Sequence, residues 1–264
     1  MKPHIFVYLA ISIWLAGWLN AQVSAPELGV VRYADNSVRP IYGVEANLVV
    51  GKQMARTADA VSFSDFGGLV AANGHIQLVN RVGSVLSEYD SKERKPLLNV
   101  DGELTTAVAY LPSREAVLHW SGKSFVLTQL GNGSFLGAAT SVQMHGAHSV
   151  KLLATTRDGN VSEITISLDT GQPGSVKFLP GIQGPAFLHK TFVIFHDKQG
   201  LEVEDSDGGR RTVPLSATDL VIERMSSNRL HLSSPGTKQC WVLDMNNTAL
   251  QLSEMPVPRP EGRR

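Results

Sequence analysis

The sequence predicts an all-β fold, and three observations support this prediction. From Val30 onward, short runs of alternating or β-branched apolar residues are separated by clusters of Gly, Asn, Asp, Ser and Pro. The same order of runs recurs at roughly the 35 to 45 residue interval of one propeller blade. No stretch after residue 22 shows the period of an amphipathic helix. Together these patterns predict a β-propeller of four-stranded antiparallel blades, five to six in number. Another all-β repeat or a sandwich is the alternative.

The unit that begins at residue 60 shows the pattern most clearly. Its predicted strands are residues 60–64, 69–72, 76–79 and 85–89. The Asn73-Gly74 pair between the second and third strands tolerates the positive φ angles of a two-residue hairpin. These strands should therefore run antiparallel, each beside the next.

Four later units follow the same order. Their predicted strands are 106–110, 116–120 and 124–127; 142 onward, 150–154, 161–166 and 175–179; 192–195, 201–204 and 212–215; and 220–223, 230–232, 240–244 and 250–252. A hairpin of residues 29–33 and 37–41 either completes a sixth blade or closes the ring against the last unit. Residues 91–103 are predicted to be a solvated loop. The propeller domain is predicted to span 28–255, followed by a disordered tail at 256–264.

The N-terminus has the pattern of a secretory signal peptide. Lys2 and His4 precede the apolar run 5–19, and Ala21 offers a small residue for cleavage. The run is shorter than the roughly 20 residues of a membrane-spanning helix. We therefore expect residues 1–21 to be a signal peptide and the protein to be periplasmic or extracellular. An uncleaved N-terminal anchor is the alternative, and only then would the membrane be a partner.

Charge and cysteine content exclude several classes of function. Lys and Arg together number 24, as do Asp and Glu, so no net field attracts a phosphate backbone and nucleic acid is not an expected partner. Cys240 is the single cysteine, which rules out an intrachain disulfide and a thiolate-rich metal site. No cofactor is expected.

The candidate ligand motifs are weak. His145 and His148 have metal-site spacing, but on a strand they face opposite ways and no Glu lies between them, so we expect ordinary loop histidines. Residues 205–209 carry two carboxylates, but Ser216 stands where a calcium loop needs its closing Glu, which favours a hairpin turn. Residues 131–133 are Gly-rich without a following helix, which argues against phosphate binding. No metal site is predicted, and the catalytic and binding residues stay unidentified.

The large aromatic residues and the cysteine are expected to be structural. Trp120, Trp241 and Tyr110 should pack between blades. Cys240 should be a buried thiol without catalytic activity. Asn132 and Asn160 fit the glycosylation pattern, which matters only in a host that glycosylates.

The repeats resemble those of bacterial WD40-like and YVTN-like β-propeller proteins. These often show Ser-Pro-Asp-Gly before an apolar strand and a closing strand that bears Asp. Residues 64–70 (Ser-Asp-Phe-Gly-Gly-Leu-Val) and 241–244 (Trp-Val-Leu-Asp) are the nearest matches, whereas 111–114 (Leu-Pro-Ser-Arg) departs from the motif. With residues 38–41 (Val-Arg-Pro-Ile), the chain is also similar to uncharacterised exported propeller-like proteins of soil bacteria. The resemblance implies an architecture and no particular activity.

The function predicted from these observations is that of an exported, non-catalytic propeller that acts as a binding or scaffold module for a protein or glycan partner. The loops at one face of a rigid ring would supply the contacts. The alternative is a propeller enzyme, a hydrolase or lyase, with its site at the axial channel.

Overall fold

The structure is a computed structural model that describes residues 25–44, 47–55, 57–131, 137–217, 219–246 and 250–256. The predicted signal peptide lies outside these ranges, as does the predicted tail apart from Pro256. The described residues form β-strands and one short 3-10 helix, Pro112–Arg114. Among them no helix has the length and apolar character needed to cross a membrane.

The strands form six antiparallel sheets, and in each sheet the strands lie side by side in chain order. The first sheet contains β1 (Glu27–Arg32), β2 (Val38–Val44) and β3 (Asn47–Val50); the second β4 (Ala60–Phe63), β5 (Gly67–Ala72), β6 (His75–Asn80) and β7 (Val85–Asp90); the third β8 (Leu97–Val100), β9 (Ala107–Leu111), β10 (Ala116–Trp120) and β11 (Phe125–Gln129). The fourth contains β12 (Ala138–Met144), β13 (Ser149–Thr155), β14 (Asn160–Ser167) and β15 (Pro173–Gln183); the fifth β16 (Ala186–His189), β17 (Phe192–His196), β18 (Leu201–Glu204) and β19 (Arg210–Val213); the sixth β20 (Val221–Arg224), β21 (Arg229–Ser234), β22 (Gln239–Asp244) and β23 (Gln251–Glu254).

Six apolar clusters join successive sheets into a ring. Each cluster takes buried side chains from two neighbouring sheets, as where Leu69 of the second sheet and Leu118 of the third share one cluster. The last cluster joins Val242 of the sixth sheet to Val31 of the first. Because the series returns to its start, the chain is a six-bladed β-propeller, and the predicted fold class is confirmed.

Within each blade, burial falls from the second strand to the outermost strand. Most second strands are largely buried, as in β9, whereas outermost strands such as β7 are largely exposed. Apolar side chains on both faces of an inner strand pack against two neighbouring sheets, which explains its continuous apolar run. The outer strands reach solvent and carry the polar residues, as the sequence predicted.

Two innermost strands were not predicted. β8 lies within residues 91–103, so the interpretation of that whole segment as a solvated loop was wrong: Leu98 and Val100 are buried in the core between the second and third sheets. β16 was also missed, and it supplies Leu188 to the core between the fourth and fifth sheets. β8 lies shortly after the charged run 92–95, which suggested a solvated loop.

The first and last blades meet at a close backbone contact. The Val30 amide donates a hydrogen bond of 2.9 Å to the Met225 carbonyl, directly after β20. Gly29 has a φ of +149°, and a Cβ on it would collide with the same carbonyl oxygen. The predicted hairpin around Asp35 and Asn36 therefore belongs to a separate three-stranded first blade, and side chains and one backbone contact close the ring.

Candidate functional site

A pocket of about 490 Å³ opens on the propeller axis where the innermost strands begin. Its wall includes the first residues of β4, β8 and β20, together with parts of β12 and β16. We call it the axial pocket. Channel mouths of this kind are concave and are formed by several chain segments at once, which makes them the usual place for ligand contact in closed folds.

The wall of the axial pocket is mostly apolar, with the polar residues Asn36, Thr140 and Ser141, and its rim is charged. The apolar wall includes Leu97, Val142, Phe187 and Ile222. The charged residues that line the pocket are Arg32, Asp59, Arg94, Lys95 and Glu223.

Glu223 holds three blades together at the side of the pocket. Its Oε1 atom accepts a hydrogen bond of 2.9 Å from Arg32 Nε of the first blade and one of 3.3 Å from the Val61 amide of the second blade. Arg32 also donates from Nη1 to Asn36 Oδ1, 3.1 Å away. The two charges of Arg32 and Glu223 therefore compensate each other within the wall.

A buried histidine lies behind Glu223. His231 stands opposite Glu223 on the neighbouring strand, with Nδ1 3.8 Å from Glu223 Oε2, too far for a hydrogen bond. Its ring also contacts the Tyr33 ring at a centroid distance of 6.4 Å.

Burial, followed by the charge of Glu223, raises the pKa of the nearby Cys240 thiol. A raised pKa keeps a thiol protonated, which fits the predicted unreactive, buried Cys240.

The loop of residues 91–96, here called the mouth loop, is fixed by its own hydrogen bonds. The Ser91 hydroxyl donates to the Gly74 carbonyl, 2.8 Å away. The Glu93 carboxylate accepts bonds from the amides of Arg94 and Lys95, and from the amide and hydroxyl of Ser113 at 3.0 and 2.5 Å. Burial would raise the pKa of Glu93, but the hydrogen bonds from Ser113 and from the loop outweigh it and lower that pKa.

Arg94 and Lys95 are presented by the mouth loop as exposed side chains. Neither forms an ion pair with any other residue in the described part of the chain. Asp59, which also lines the pocket, is exposed and has no ion-pair partner within the described ranges. Since Arg32 and Glu223 compensate each other, two free cations face one free carboxylate, and the pocket carries a net positive charge.

The other end of the channel is crossed by a buried arginine. Arg224, the last residue of β20, donates to the carbonyls of Ser226 and Ser227 in its own blade and to that of Val100 in the third blade. Buried His189 lies near this guanidinium, and desolvation together with the charge of Arg224 lowers the pKa of His189 to about 3. These residues occupy the axis at the ends of the innermost strands, so we place the ligand-accessible site at the other mouth.

The motifs examined in the sequence lie away from the axial pocket. His145 and His148 are exposed in the turn after β12, where His148 pairs with Asp169 at 3.2 Å. Asp205 accepts hydrogen bonds from the amides of Asp207 and Gly209, which makes its segment the predicted hairpin turn. Among the described residues, no group of three or more His, Cys, Asp or Glu could hold a metal ion.

The aromatic residues pack as predicted. Trp241 and Tyr110 are buried in cores between neighbouring blades, and Trp120 is partly buried against the core between the second and third blades. Within its own blade, Trp120 packs edge to face on Phe125 with centroids 5.3 Å apart. Of the two asparagines that fit the glycosylation pattern, Asn160 is the first residue of β14 and Asn132 lies outside the described residues. Gly133 of the Gly-rich segment 131–133 also lies outside them.

No residue of the axial pocket was identified from the sequence as a site residue, and Arg94 and Lys95 are the ones that a local signal could have revealed. They were assigned to a solvated loop because four charged residues stand in a row at 92–95. The apolar Leu97, Leu98 and Val100 that follow could have been read as the missing first strand of the unit 106–127, since three of the other four units have four runs. That reading would have placed both cations at the start of an innermost strand.

Comparisons with known proteins support the architecture alone. No family model matches the chain, and no curated protein matches it. A chain of the nidogen/laminin complex is 11% identical, with 86% of this chain and 92% of that chain covered and a TM-score of 0.56. The Cps50 (Swd1) β-propeller domain of Myceliophteria thermophila is 12% identical, with 90% of each chain covered and a TM-score of 0.47. BamB of Moraxella catarrhalis is 14% identical, with 87% of this chain and 88% of that chain covered and a TM-score of 0.37.

At such low identity, these likenesses say nothing about ligand or activity. The sheet order and the closed series of cores define the class: the chain is a β-propeller protein.

Proposed function

We propose that this chain is a non-catalytic binding module that holds a partner protein at the mouth of its axial channel. One observation carries the proposal: a fixed loop presents, at the rim of a mostly apolar pocket, two cations that have no ion-pair partner among the described residues. The backbone of a rigid loop loses little conformational entropy on binding, so charged side chains on such a loop suit recognition. The rigid ring behind them matches the way propellers offer one face to a partner.

We further propose that the protein acts outside the cytoplasm. The support is the N-terminal pattern of Lys2 and His4 before the apolar run 5–19. Intact-mass measurement of the protein recovered from each cell fraction tests this part. A mature chain that begins near residue 22 in an exported fraction supports it, and an intact chain in the cytoplasmic fraction contradicts it.

Co-purification from the native host tests the binding role. The variant Arg94→Ser with Lys95→Ser removes both rim cations. The matched control, Lys123→Ser with Lys177→Ser, removes two exposed cations that do not line the pocket. We expect a partner that the wild type and the control both retain and that the rim variant loses. Equal retention of the partner by all three proteins would show that the partner binds outside the axial pocket.

A propeller hydrolase or lyase with its site at the channel remains the competing function. Substrate turnover by the purified chain that is lost when Asp59 is changed to Asn would overturn the non-catalytic proposal. Asp59 is the appropriate target because it is the unpaired carboxylate at the rim.

A further inference from the structure

We infer that the occupant of the axial pocket is an acidic segment of protein, with one carboxylate side chain between Arg94 and Lys95 and an adjacent apolar side chain against the pocket wall. This inference rests on the proposed function and adds the chemistry of the partner. Three features of the pocket support it: its charge, the order of its loop and the nature of its wall.

The charge of the pocket selects an anion. Arg32 is compensated by Glu223 at 2.9 Å, so the uncompensated cations are Arg94 and Lys95. The carboxylate of Glu93 does not neutralise them through an ion pair, because its hydrogen bonds come from Ser113 and from main-chain amides. A carboxylate that enters between the two cations gains charge-assisted hydrogen bonds without breaking an existing pair.

The mouth loop is organised before the partner arrives. Glu93 and Ser91 fix the backbone from which both cations project, through bonds to Ser113 and Gly74 in two different turns. Binding therefore has to order only the two side chains, and less of the interaction energy is lost to entropy.

The wall of the pocket selects a ligand that is only partly charged. Leu97, Phe187 and Ile222 are half-buried and line the same pocket as the cations. A polyanion would leave this apolar surface unmatched, and most hydroxyl groups of an acidic sugar would lie against apolar side chains, since Asn36, Thr140 and Ser141 are the uncharged polar residues of the lining. An aliphatic side chain next to a glutamate or aspartate fits both parts of the pocket, which has the size of a small-ligand site.

The test is a titration of the full chain, labelled at its Leu, Val and Ile methyl groups, with short blocked peptides. The probes are acetyl-Leu-Glu-Leu-amide, acetyl-Leu-Gln-Leu-amide and tri-galacturonate, followed by NMR. We expect the glutamate peptide to shift the methyl signals of Leu97, Val142 and Ile222. The glutamine peptide should bind at least about tenfold more weakly, since a charge-assisted hydrogen bond exceeds a neutral one by roughly 1.4 kcal/mol.

Variants separate the role of the cations from a general loss of structure. The Arg94→Ser, Lys95→Ser variant should bind both peptides equally weakly, and the Lys123→Ser, Lys177→Ser control should keep the preference for glutamate. The charge-reversed variant Arg94→Glu, Lys95→Glu should prefer acetyl-Leu-Lys-Leu-amide. This gain of a new preference cannot come from misfolding. The preference should also weaken in high salt, because the cations are exposed.

Three outcomes overturn the inference: equal binding of the glutamate and glutamine peptides, shifts confined to methyl groups outside the pocket, or shifts produced by tri-galacturonate and not by the glutamate peptide. The last result would identify an acidic glycan as the occupant. Each of these can occur while the rim variant still loses its partner in co-purification. In that case, the proposed binding role stands and the inferred chemistry fails.

Discussion

Arg32 Nε lies 2.9 Å from Glu223 Oε1, and this ion pair links the first blade of the ring to the last. The two residues are separated by 191 positions in the chain. Because the same Glu223 oxygen also accepts the Val61 amide, one carboxylate joins three blades at the edge of the axial pocket. The closure of the ring and the shape of the candidate site therefore depend on the same side chain.

Replacing Arg32 by Ala should lower the free energy of unfolding by about 2 to 3 kcal/mol, because it leaves a buried carboxylate without its counter-ion. The side chains of Arg32 and Glu223 are only 18% and 8% exposed, so solvent screens the pair weakly. Arg81→Ala is the control, since Arg81 pairs with Glu27 at 3.5 Å and is 57% exposed. Its cost should stay below about 1 kcal/mol. Equal costs in urea titrations would contradict the structural role of the Arg32 pair.

Gly29→Ala should disturb ring closure through the backbone. The added Cβ would collide with the Met225 carbonyl oxygen, which the neighbouring Val30 amide binds at 2.9 Å. We expect thermal unfolding to show a loss of more than about 2 kcal/mol. Gly146→Ala is the matched control: Gly146 also has positive φ, +74°, but nothing lies within 4 Å of its added Cβ. This control should cost only about 1 kcal/mol, the strain of the φ angle alone. A similar loss in both variants would show that the contact at Gly29 is unimportant.

Most of the fold could be predicted from the sequence because the outer strands of each blade are adjacent in the chain and joined by recognisable turns. The pairing of β5 with β6 across Asn73-Gly74 is an example. β8 follows the charged run 92–95, which suggested a solvated loop. Length alone does not explain why β8 and β16 were missed, since the innermost strands β4 and β20 also have four residues and were predicted. Their apolar residues face two neighbouring blades, and the alternation of polar and apolar residues is lost.

The candidate site could not be predicted for a related reason. Its residues come from the starts of the innermost strands in separate blades, so no local motif contains them. Arg32 and Glu223 become neighbours only when the ring closes, and the sequence left two ways of closing it. Arg94 and Lys95 look like any solvated charge run until β8 is recognised directly after them.

Ser113→Ala should loosen the mouth loop and make its stability less sensitive to acid. Ser113 supplies the hydroxyl bond that helps to lower the pKa of Glu93 from its ordinary value of 4.5. A lowered folded pKa means that the stabilising effect of Glu93 is present above that ordinary value and is lost as the pH falls through the lower folded value. In the variant this acid-dependent loss should shrink.

Amide hydrogen exchange at Arg94 and Lys95, measured over a pH series, reports the change in the mouth loop directly. Ser121→Ala is the control, because its hydroxyl bonds the Ser124 carbonyl in a turn outside the axial pocket. If the two variants exchange alike at Arg94 and Lys95, Ser113 does not fix the loop.

His189 should make the whole protein sensitive to mild acid. Its side chain is buried with neither ring nitrogen hydrogen-bonded to a described residue, and desolvation with nearby Arg224 lowers its pKa from 6.5 to about 3. Between these values the unfolded chain binds a proton that the folded chain excludes, so stability should fall by about 1.4 kcal/mol per pH unit as the pH decreases. His189→Leu should flatten that slope in denaturant titrations from neutral pH downward, whereas His148→Leu, at an exposed turn, should leave it unchanged. An unaltered slope in the His189 variant would show that the buried imidazole does not govern acid stability.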